Sequence, residues 1–261
     1  MSISREKLAD GGEIVHLQLD HPETRNSLTL EMGLAFHREL HALAGEFPLP
    51  RACVISGKNG VFSSGGDFQL LSSFAEKSPK DNQEFMQSFY RLFLSVRNMP
   101  FPVLAAVNGH AVGAALAVAL ACDLRYFVPD GKYSLNFVRI GIHPGMGSSF
   151  LVKEIAGLPR AQELLLTGRY FSGKEAFDMG LCHGLHPVEE IVPRVMDVAR
   201  EIAAGAPLAV RLAKKSLYSS TDLETAIETE SRFQAETYQT RDFREALKSI
   251  GEKRKPTFKD E

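Results

Sequence analysis

The sequence contains no tryptophan, only three cysteines and no marked excess of charge of either sign. Its 261 residues include 30 lysines and arginines and 32 aspartates and glutamates, which leaves a formal net charge of -2. Because this balance produces no strong field around the protein, we expect no binding to nucleic acid or to an anionic membrane, and any phosphate site must be local. The length and the 44% of hydrophobic residues exclude a disordered or fibrous chain. They allow one large domain or two small ones.

The three cysteines, Cys53, Cys122 and Cys182, are too few and odd in number for a disulfide framework. The residues after Met1 include charged side chains before the apolar core of a signal peptide could begin. Both observations predict a protein of the reducing cytoplasm.

One uncharged stretch, residues 99–122, is long enough to test as a membrane span, which needs about 20 apolar residues. Pro100, Pro102, Gly109 and Gly113 interrupt it, and such residues are typical of turns. The pattern therefore favours a buried strand, a turn and a small-residue helix over a span.

Short apolar runs alternate with helical patterns through the first two thirds of the chain, which indicates an α/β fold. Strands are predicted at residues 14–19, 52–56, 102–107 and 124–128. Helices are predicted from Thr29, at residues 82–96 and at residues 114–121. In the first helix, four residues share one apolar face: Phe36, Leu40, Leu43 and Phe47. In the second, Phe85, Phe89 and Phe93 are expected to form core or to line an acyl tunnel.

The last third of the chain is predicted to be mostly helical. Capping boxes at Ser172–Glu175 and Thr221–Glu224 indicate helix starts, and Pro207 stands where a further helix can begin. We expect a core of residues 1–200 with an acyl-thioester site, and a helical region of residues 201–261 that packs on its own core or on a neighbouring subunit.

Two glycine turns are the first candidates for chemistry: Ser63–Asp67 after a strand and Gly109–Gly113 before a helix. The amide of Ala114 would belong to the first turn of that helix and have no partner within it. If the amide of Gly66 converges on the same place, the pair forms an oxyanion hole. The alternative is that both are only tight turns. No G-x-G-x-x-G dinucleotide motif and no G-x-S-x-G hydrolase elbow is present.

Several motifs in order resemble the crotonase superfamily of enoyl-CoA hydratases and isomerases. The resemblance covers almost the whole chain, from residues 21–28 and the loop 62–67 to the segment 102–113, Cys122–Arg125, residues 166–168 and the tail 252–260. It implies a spiral of ββα units with a helical C-terminal trimerisation region, assembled as a trimer or a pair of trimers. It also implies an acyl-CoA or acyl-carrier thioester as substrate, a role in fatty acid metabolism, and no metal or cofactor beyond the CoA of the substrate.

The resemblance also assigns residues. The amides of Gly66 and Ala114 would hold the thioester oxygen and stabilise an enolate. CoA would be bound around Arg25, Asn26 and Ser27, with the tail residues Phe258 and Lys259 near the adenine or phosphates, across a subunit boundary or within one chain. Asp67 is expected to hold its loop by accepting backbone amides, and not to act as a base.

The two glutamates that the hydratases of this superfamily use are absent. The positions that match them hold Ala117 and Phe137, and neither residue can move a proton. Ordinary hydration is therefore expected to be weak or absent. The groups left around these positions include Arg139, a candidate substrate contact, and His143, a candidate acid or base because histidine is the usual residue for this role. The alternative for His143 is a surface histidine.

Three functions stay open on the sequence alone. The first is a lyase or isomerase of the crotonase type that uses groups other than glutamate. The second is an acyl-thioester decarboxylase, because decarboxylation yields the same enolate without a base. The third is an acyl-CoA-binding protein without catalytic activity.

Overall fold

The computed structural model describes residues 1–260 and has a six-stranded sheet at its centre. The strands lie in the order β1-β2-β3-β4-β6-β9, and all neighbours are parallel except the antiparallel pair β1 and β2. A second, three-stranded sheet has the order β5-β7-β8. The strands are β1 Ser2–Lys7, β2 Glu13–Leu19, β3 Ala52–Gly57, β4 Val103–Val107, β5 Ala111–Val112, β6 Leu124–Phe127, β7 Tyr133–Ser134, β8 Tyr170–Phe171 and β9 Gly184–Leu185.

Helices cover both faces of the main sheet. They are α1 Leu30–Ala44, α2 Phe68–Ser73, α3 Pro79–Leu94, α4 Ala114–Leu120, α5 Ser148–Thr167, α6 Gly173–Asp178, α7 Ile191–Ala203, α8 Pro207–Ser219, α9 Leu223–Thr237 and α10 Arg241–Gly251. Alternate residues of each strand point to opposite faces. Accordingly Val15 and Cys53 belong to the core under α1 and α3, whereas Ile14 and Val54 pack against α7.

The predicted α/β alternation is confirmed, but several details differ, and the short strands β5, β7, β8 and β9 were not predicted. Strand β1 was not predicted, because this edge strand is polar and forms by pairing with β2. Phe47 does not share the buried face of α1: the helix ends at Ala44, and Phe47 is 94% exposed. The start of α9 is capped by Asp222, whose side chain accepts from the Thr225 amide, so the predicted box from Thr221 is wrong by one residue. The capping box at Ser172 and the helix start at Pro207 are confirmed.

The C-terminal helices are joined to the sheet through a buried ion pair. Lys214 of α8 contacts the carboxylate of Asp123 at 2.7 Å and donates to the carbonyl of Phe101 at 2.9 Å. The same carboxylate accepts from the Val103 amide at 2.7 Å and from the Tyr218 hydroxyl at 2.8 Å. Asp123, which follows Cys122 in the sequence, therefore connects α8 to the start of β4. The division of the chain near residue 200 stays a prediction.

We expect Lys214→Met to lower the free energy of unfolding by about 3 kcal/mol, because it leaves the Asp123 carboxylate buried without a cation. Denaturant unfolding followed by circular dichroism measures the change. Lys174→Met is the matched control: its ion pair with Asp130 is exposed, so its loss should cost less than about 1 kcal/mol. Equal effects of the two variants would contradict this role of Lys214.

Candidate active site

The two glycine turns meet at one edge of the main sheet. Strands β3 and β4 are parallel neighbours, so the turns that follow them leave the sheet at the same end. The side chain of Asn108 connects the start of the second turn to the end of β3. It accepts from the Gly57 amide at 2.8 Å and donates to the Gly57 carbonyl at 2.7 Å. The sheet topology and this double hydrogen bond therefore place the turns side by side.

The backbones of the two turns are in direct contact. Ser63 pairs with Ala111 as a parallel β-bridge, and the Ser63 amide donates to the His110 carbonyl at 3.2 Å. Gly65 has a φ of +97°, and a Cβ at this position would lie 2.5 Å from the Val112 carbonyl oxygen. Only glycine therefore permits both this conformation and this approach.

A third segment packs against the first turn. The Leu28 amide donates to the Gly65 carbonyl at 2.7 Å, and the Ser64 amide donates to the Arg25 carbonyl at 3.0 Å. Residues 25–28 therefore border the turn that carries Gly66. The side chain of Arg25 is exposed there, and the Ser27 hydroxyl lies 3.5 Å from the Asp67 carboxylate.

Asn26 has a structural role that the sequence did not indicate. Its buried carboxamide accepts from the His21 amide at 2.8 Å and donates to the Val61 carbonyl at 2.8 Å. These bonds occupy the side chain, so any contact of Asn26 with a ligand falls to its backbone.

Gly66 and Ala114 line the same cavity, whose volume is about 170 Å³. Ala114 is the first residue of α4, after Gly113 with a φ of 57°. Within residues 1–260, neither amide donates a hydrogen bond. For Ala114 the cause is its place in the first helical turn, whose amides have no carbonyl one turn before them. Two residues whose amides are unpaired therefore line one small cavity.

The cavity wall is mostly apolar. Side chains from several elements form it, among them Leu28, Leu70, Leu71, Phe74, Phe89 and Phe137. Four polar side chains also line it: Ser64, Asp67, Tyr90 and Asn136. Asp67 is the one acidic residue of this wall within the described chain, and its carboxylate caps α2 by accepting from the Leu70 amide at 2.9 Å. The carboxylate thus holds its loop, as expected.

The two positions that we expect to match the hydratase glutamates differ in their relation to the cavity. Phe137 lines the cavity and is 7% exposed. Ala117 is fully buried within α4, and its methyl group does not reach the lining.

Arg139 and His143 are not brought to the cavity, so the structure does not support their predicted roles. Arg139 is exposed, and its Nε donates to the Thr167 carbonyl at 2.8 Å. His143 is also exposed, and its Nδ1 lies 2.8 Å from the Pro144 carbonyl oxygen. Both follow Phe137 on a short helical turn, residues 136–140, and on the loop after it, which carry their side chains away from the wall.

The tail residues Phe258 and Lys259 lie at the opposite end of the sheet from this chain's own cavity. The Phe258 carbonyl accepts from Arg51 at 2.8 Å, and the Lys259 amide donates to Asp242 at 2.8 Å. Arg51 precedes β3, whereas the first turn follows it, and six strand residues span about 20 Å. The tail therefore does not complete the cavity of its own chain.

Tyr90 is a cavity residue that sequence reasoning missed. It lies on α3 with Met86 and Phe89, which also line the cavity, so the signal was the spacing of three and four residues on one helical face. Burial raises the pKa of its hydroxyl, and a hydrogen-bond contribution from the Met146 backbone lowers it in part. Because a Cβ on Gly145 would overlap with the Tyr90 hydroxyl, glycine at that position leaves room for it.

The parallel sheet, the two adjoining turns and the small apolar cavity define a protein of the crotonase class. The Enoyl-CoA hydratase/isomerase family profile matches residues 10–261. An enoyl-CoA isomerase/hydratase of Mycosarcoma maydis is 31% identical over 255 residues, which cover 94% of this chain and 92% of that protein. The chain therefore belongs to the enoyl-CoA hydratase/isomerase family.

Further comparisons agree on fold and family. The human mitochondrial methylglutaconyl-CoA hydratase is 30% identical over 254 residues, which cover 95% of this chain and 74% of that protein. The crystal structure of an enoyl-CoA hydratase from Bacillus anthracis superposes with a TM-score of 0.91 at 29% identity and covers all of both chains. The predicted crotonase-like α/β fold with a helical C-terminal region is confirmed.

We expect Gly65→Ala to destabilise the fold by about 3 kcal/mol, because it adds a clash with the Val112 carbonyl to the strain of a positive φ. Gly11→Ala is the control, since Gly11 has a φ of +89° and nothing within 4 Å of its Cβ position. That variant should cost only about 1 kcal/mol. Denaturant unfolding of both variants measures the loss in free energy of unfolding and separates the effect of the clash from that of the strained φ. Equal losses would show that the two turns can move apart freely.

Proposed function

We propose that the protein binds an acyl-CoA thioester with its carbonyl oxygen on the amides of Gly66 and Ala114 and stabilises the enolate formed there. The observation that carries this proposal is that both residues line one cavity and that their amides lack an acceptor within residues 1–260. Fixed donors of this kind favour charge that develops on the oxygen, and one donor is typically worth about 3 kcal/mol in a transition state. The mostly apolar wall strengthens the interaction because it excludes water.

Ordinary hydration of an enoyl thioester should be weak or absent in this protein. Hydration needs a base to activate water and an acid to protonate the α-carbon. Ala117 and Phe137 supply neither, and the Asp67 carboxylate is engaged in capping α2. The family relationship supports a thioester substrate. The residues of this cavity, however, do not favour the hydration reaction for which the relatives are named.

The cavity of one chain would be only part of the CoA site. Arg25 is exposed beside the first turn, in a position to meet the phosphates of CoA. The tail with Phe258 and Lys259 would then serve a neighbouring chain in a trimer or a pair of trimers. Exposed apolar side chains on α9 and α10, such as Ile227, Leu247 and Ile250, support such an assembly.

The donor role of Ala114 can be tested without a known turnover. Ala114→Pro removes one amide at the first position of α4, where a helix tolerates proline. In the wild type, the carbonyl 13C resonance of bound [1-13C]butyryl-CoA should move downfield, because two hydrogen bonds polarise it. In the variant this displacement should shrink, and affinity should fall about 10-fold.

Leu223→Pro is the control, because it makes the same change at the first position of the exposed start of α9. It should leave both the resonance and the affinity as in the wild type. An unchanged carbonyl shift in Ala114→Pro would refute the assignment of the two amides.

A double variant tests the missing acid and base. We expect Ala117→Glu/Phe137→Glu to hydrate crotonyl-CoA about 100-fold faster than the wild type, because one positioned acid or base contributes at least that factor. Loss of the enoyl absorbance measures the rate, and circular dichroism checks that the buried glutamate at position 117 is accepted. Wild-type hydration at or above the rate of a folded double variant would contradict this account.

Decarboxylation of an acyl thioester is the second candidate function. It is favoured by the absence of a free carboxylate from the lining of the described cavity, because loss of CO2 yields the enolate without a base. Release of CO2 from methylmalonyl-CoA or methylglutaconyl-CoA by the wild type would support it. Tight binding of these thioesters without turnover of any of them would instead favour the non-catalytic acyl-CoA-binding protein.

A further inference from the structure

In two of the four polar side chains of the cavity, the hydrogen-bond donor has no acceptor within the described residues, although the Tyr90 hydroxyl also interacts with the Met146 backbone. Ser64 donates to the Thr24 carbonyl at 3.1 Å, and Asp67 accepts from the Leu70 amide. The carboxamide of Asn136 and the hydroxyl of Tyr90, in contrast, donate no hydrogen bond to an acceptor within residues 1–260. Polar groups at an apolar wall are costly unless a ligand or water satisfies them. Both donors are therefore free to bind a ligand oxygen or water in the cavity.

The positions of the two groups are defined relative to the amide of Ala114. The Oδ1 atom of Asn136 lies 3.3 Å from the Cβ position of Gly113, the residue directly before that amide. Tyr90 lies further along the wall, where its hydroxyl occupies the space beside Gly145. The edge of Phe137 lies between them: its Cε1 is 3.9 Å from the Cβ position of Gly113 and 3.7 Å from that of Gly145.

An acyl chain whose carbonyl is held at the Ala114 amide would thus run past Asn136, along the ring of Phe137 and towards Tyr90. Resting on the proposed function, we propose that Tyr90 and Asn136 are specificity-determining residues that hydrogen-bond a neutral oxygen, a hydroxyl or carbonyl, on the acyl chain of the thioester.

The absence of cationic side chains from the described wall favours a neutral ligand oxygen over a carboxylate. No lysine or arginine lines the described cavity, since Arg139 is held at the Thr167 carbonyl. A carboxylate buried here would have only neutral donors around it, which makes its desolvation expensive. A neutral hydroxyl or carbonyl avoids that cost and still satisfies both side chains. Because burial raises its pKa, the Tyr90 hydroxyl keeps its proton and acts as a donor at neutral pH.

Calorimetric binding of five thioesters tests the proposal. The probes are butyryl-CoA, both enantiomers of 3-hydroxybutyryl-CoA, acetoacetyl-CoA and succinyl-CoA. We expect at least one of the neutral oxygen-bearing thioesters to bind the wild type about 10-fold more tightly than butyryl-CoA, as one or two hydrogen bonds allow. Succinyl-CoA should bind no more tightly than butyryl-CoA.

Two variants assign this preference to the side chains. Tyr90→Phe keeps the ring and removes the hydroxyl, and Asn136→Leu replaces the carboxamide by an apolar group of similar size. Each should reduce towards 1 the preference, which is the ratio of the butyryl-CoA dissociation constant to that of the oxygen-bearing thioester. Tyr170→Phe, which removes the hydroxyl of a half-exposed tyrosine outside the cavity, should leave all affinities unchanged.

The outcomes separate this proposal from the one on which it rests. If no acyl-CoA binds, the proposed function fails. If butyryl-CoA binds but the preference is absent in the wild type or persists in both variants, the assignment of Tyr90 and Asn136 is wrong. Tighter binding of succinyl-CoA than of every neutral probe would overturn the choice of a neutral oxygen.

Discussion

The candidate site depends on one close contact between two stretches of backbone. Gly65 and Val112 approach so closely that a single added methyl group would overlap with a carbonyl oxygen, and the bridge between Ser63 and Ala111 holds the two loops in register. This contact fixes the loop that carries the Gly66 amide against the loop that leads into α4. Donors fixed in this way lose little entropy and need little reorganisation when a ligand oxygen arrives, which is the condition under which backbone amides stabilise charge well. Any residue with a side chain at position 65 would prevent this close contact between the two loops.

The cavity beside this contact is short of charge, and this limits the chemistry that it can support. Its single carboxylate, that of Asp67, is turned to the amides of α2, and its remaining polar groups are neutral. Such a wall can hold an enolate oxygen on the two amides, but it offers no side chain poised to remove a proton at neutral pH. Membership of the enoyl-CoA hydratase/isomerase family is consistent with an acyl-CoA substrate. In our proposal, the residues at 117 and 137 distinguish this protein from a hydratase that works through two glutamates.

The sequence predicted those parts of the molecule that local patterns or ordered motifs determine. Buried strands and amphipathic helices follow from periodicity, and the pairing of Gly66 with Ala114 followed from two glycine turns and the family resemblance. It missed β1 because polar edge strands are specified by their partner, and it misplaced Phe47 because periodicity was extended beyond the end of α1. Tyr90 was missed for a further reason. Its relevance arises only when α3 packs against the loop around Gly145, a contact between residues 55 positions apart that no local pattern reveals.

The same distinction between local and distant contacts applies to the C-terminal tail. Its motif predicted a contact with CoA, but the ion pairs of Arg211 with Asp260 and the bond of Arg51 to Phe258 hold it near the start of β3, far from the cavity of the same chain. If the tail serves a CoA site, that site belongs to another copy, because these contacts hold the tail at the opposite end of the sheet from its own cavity. An isolated chain would then leave the outer part of CoA in solvent while its acyl group entered the cavity. For this reason the affinity for the thioester should depend on the association of chains, even though the residues that line the described cavity, including Gly66 and Ala114, come from one chain.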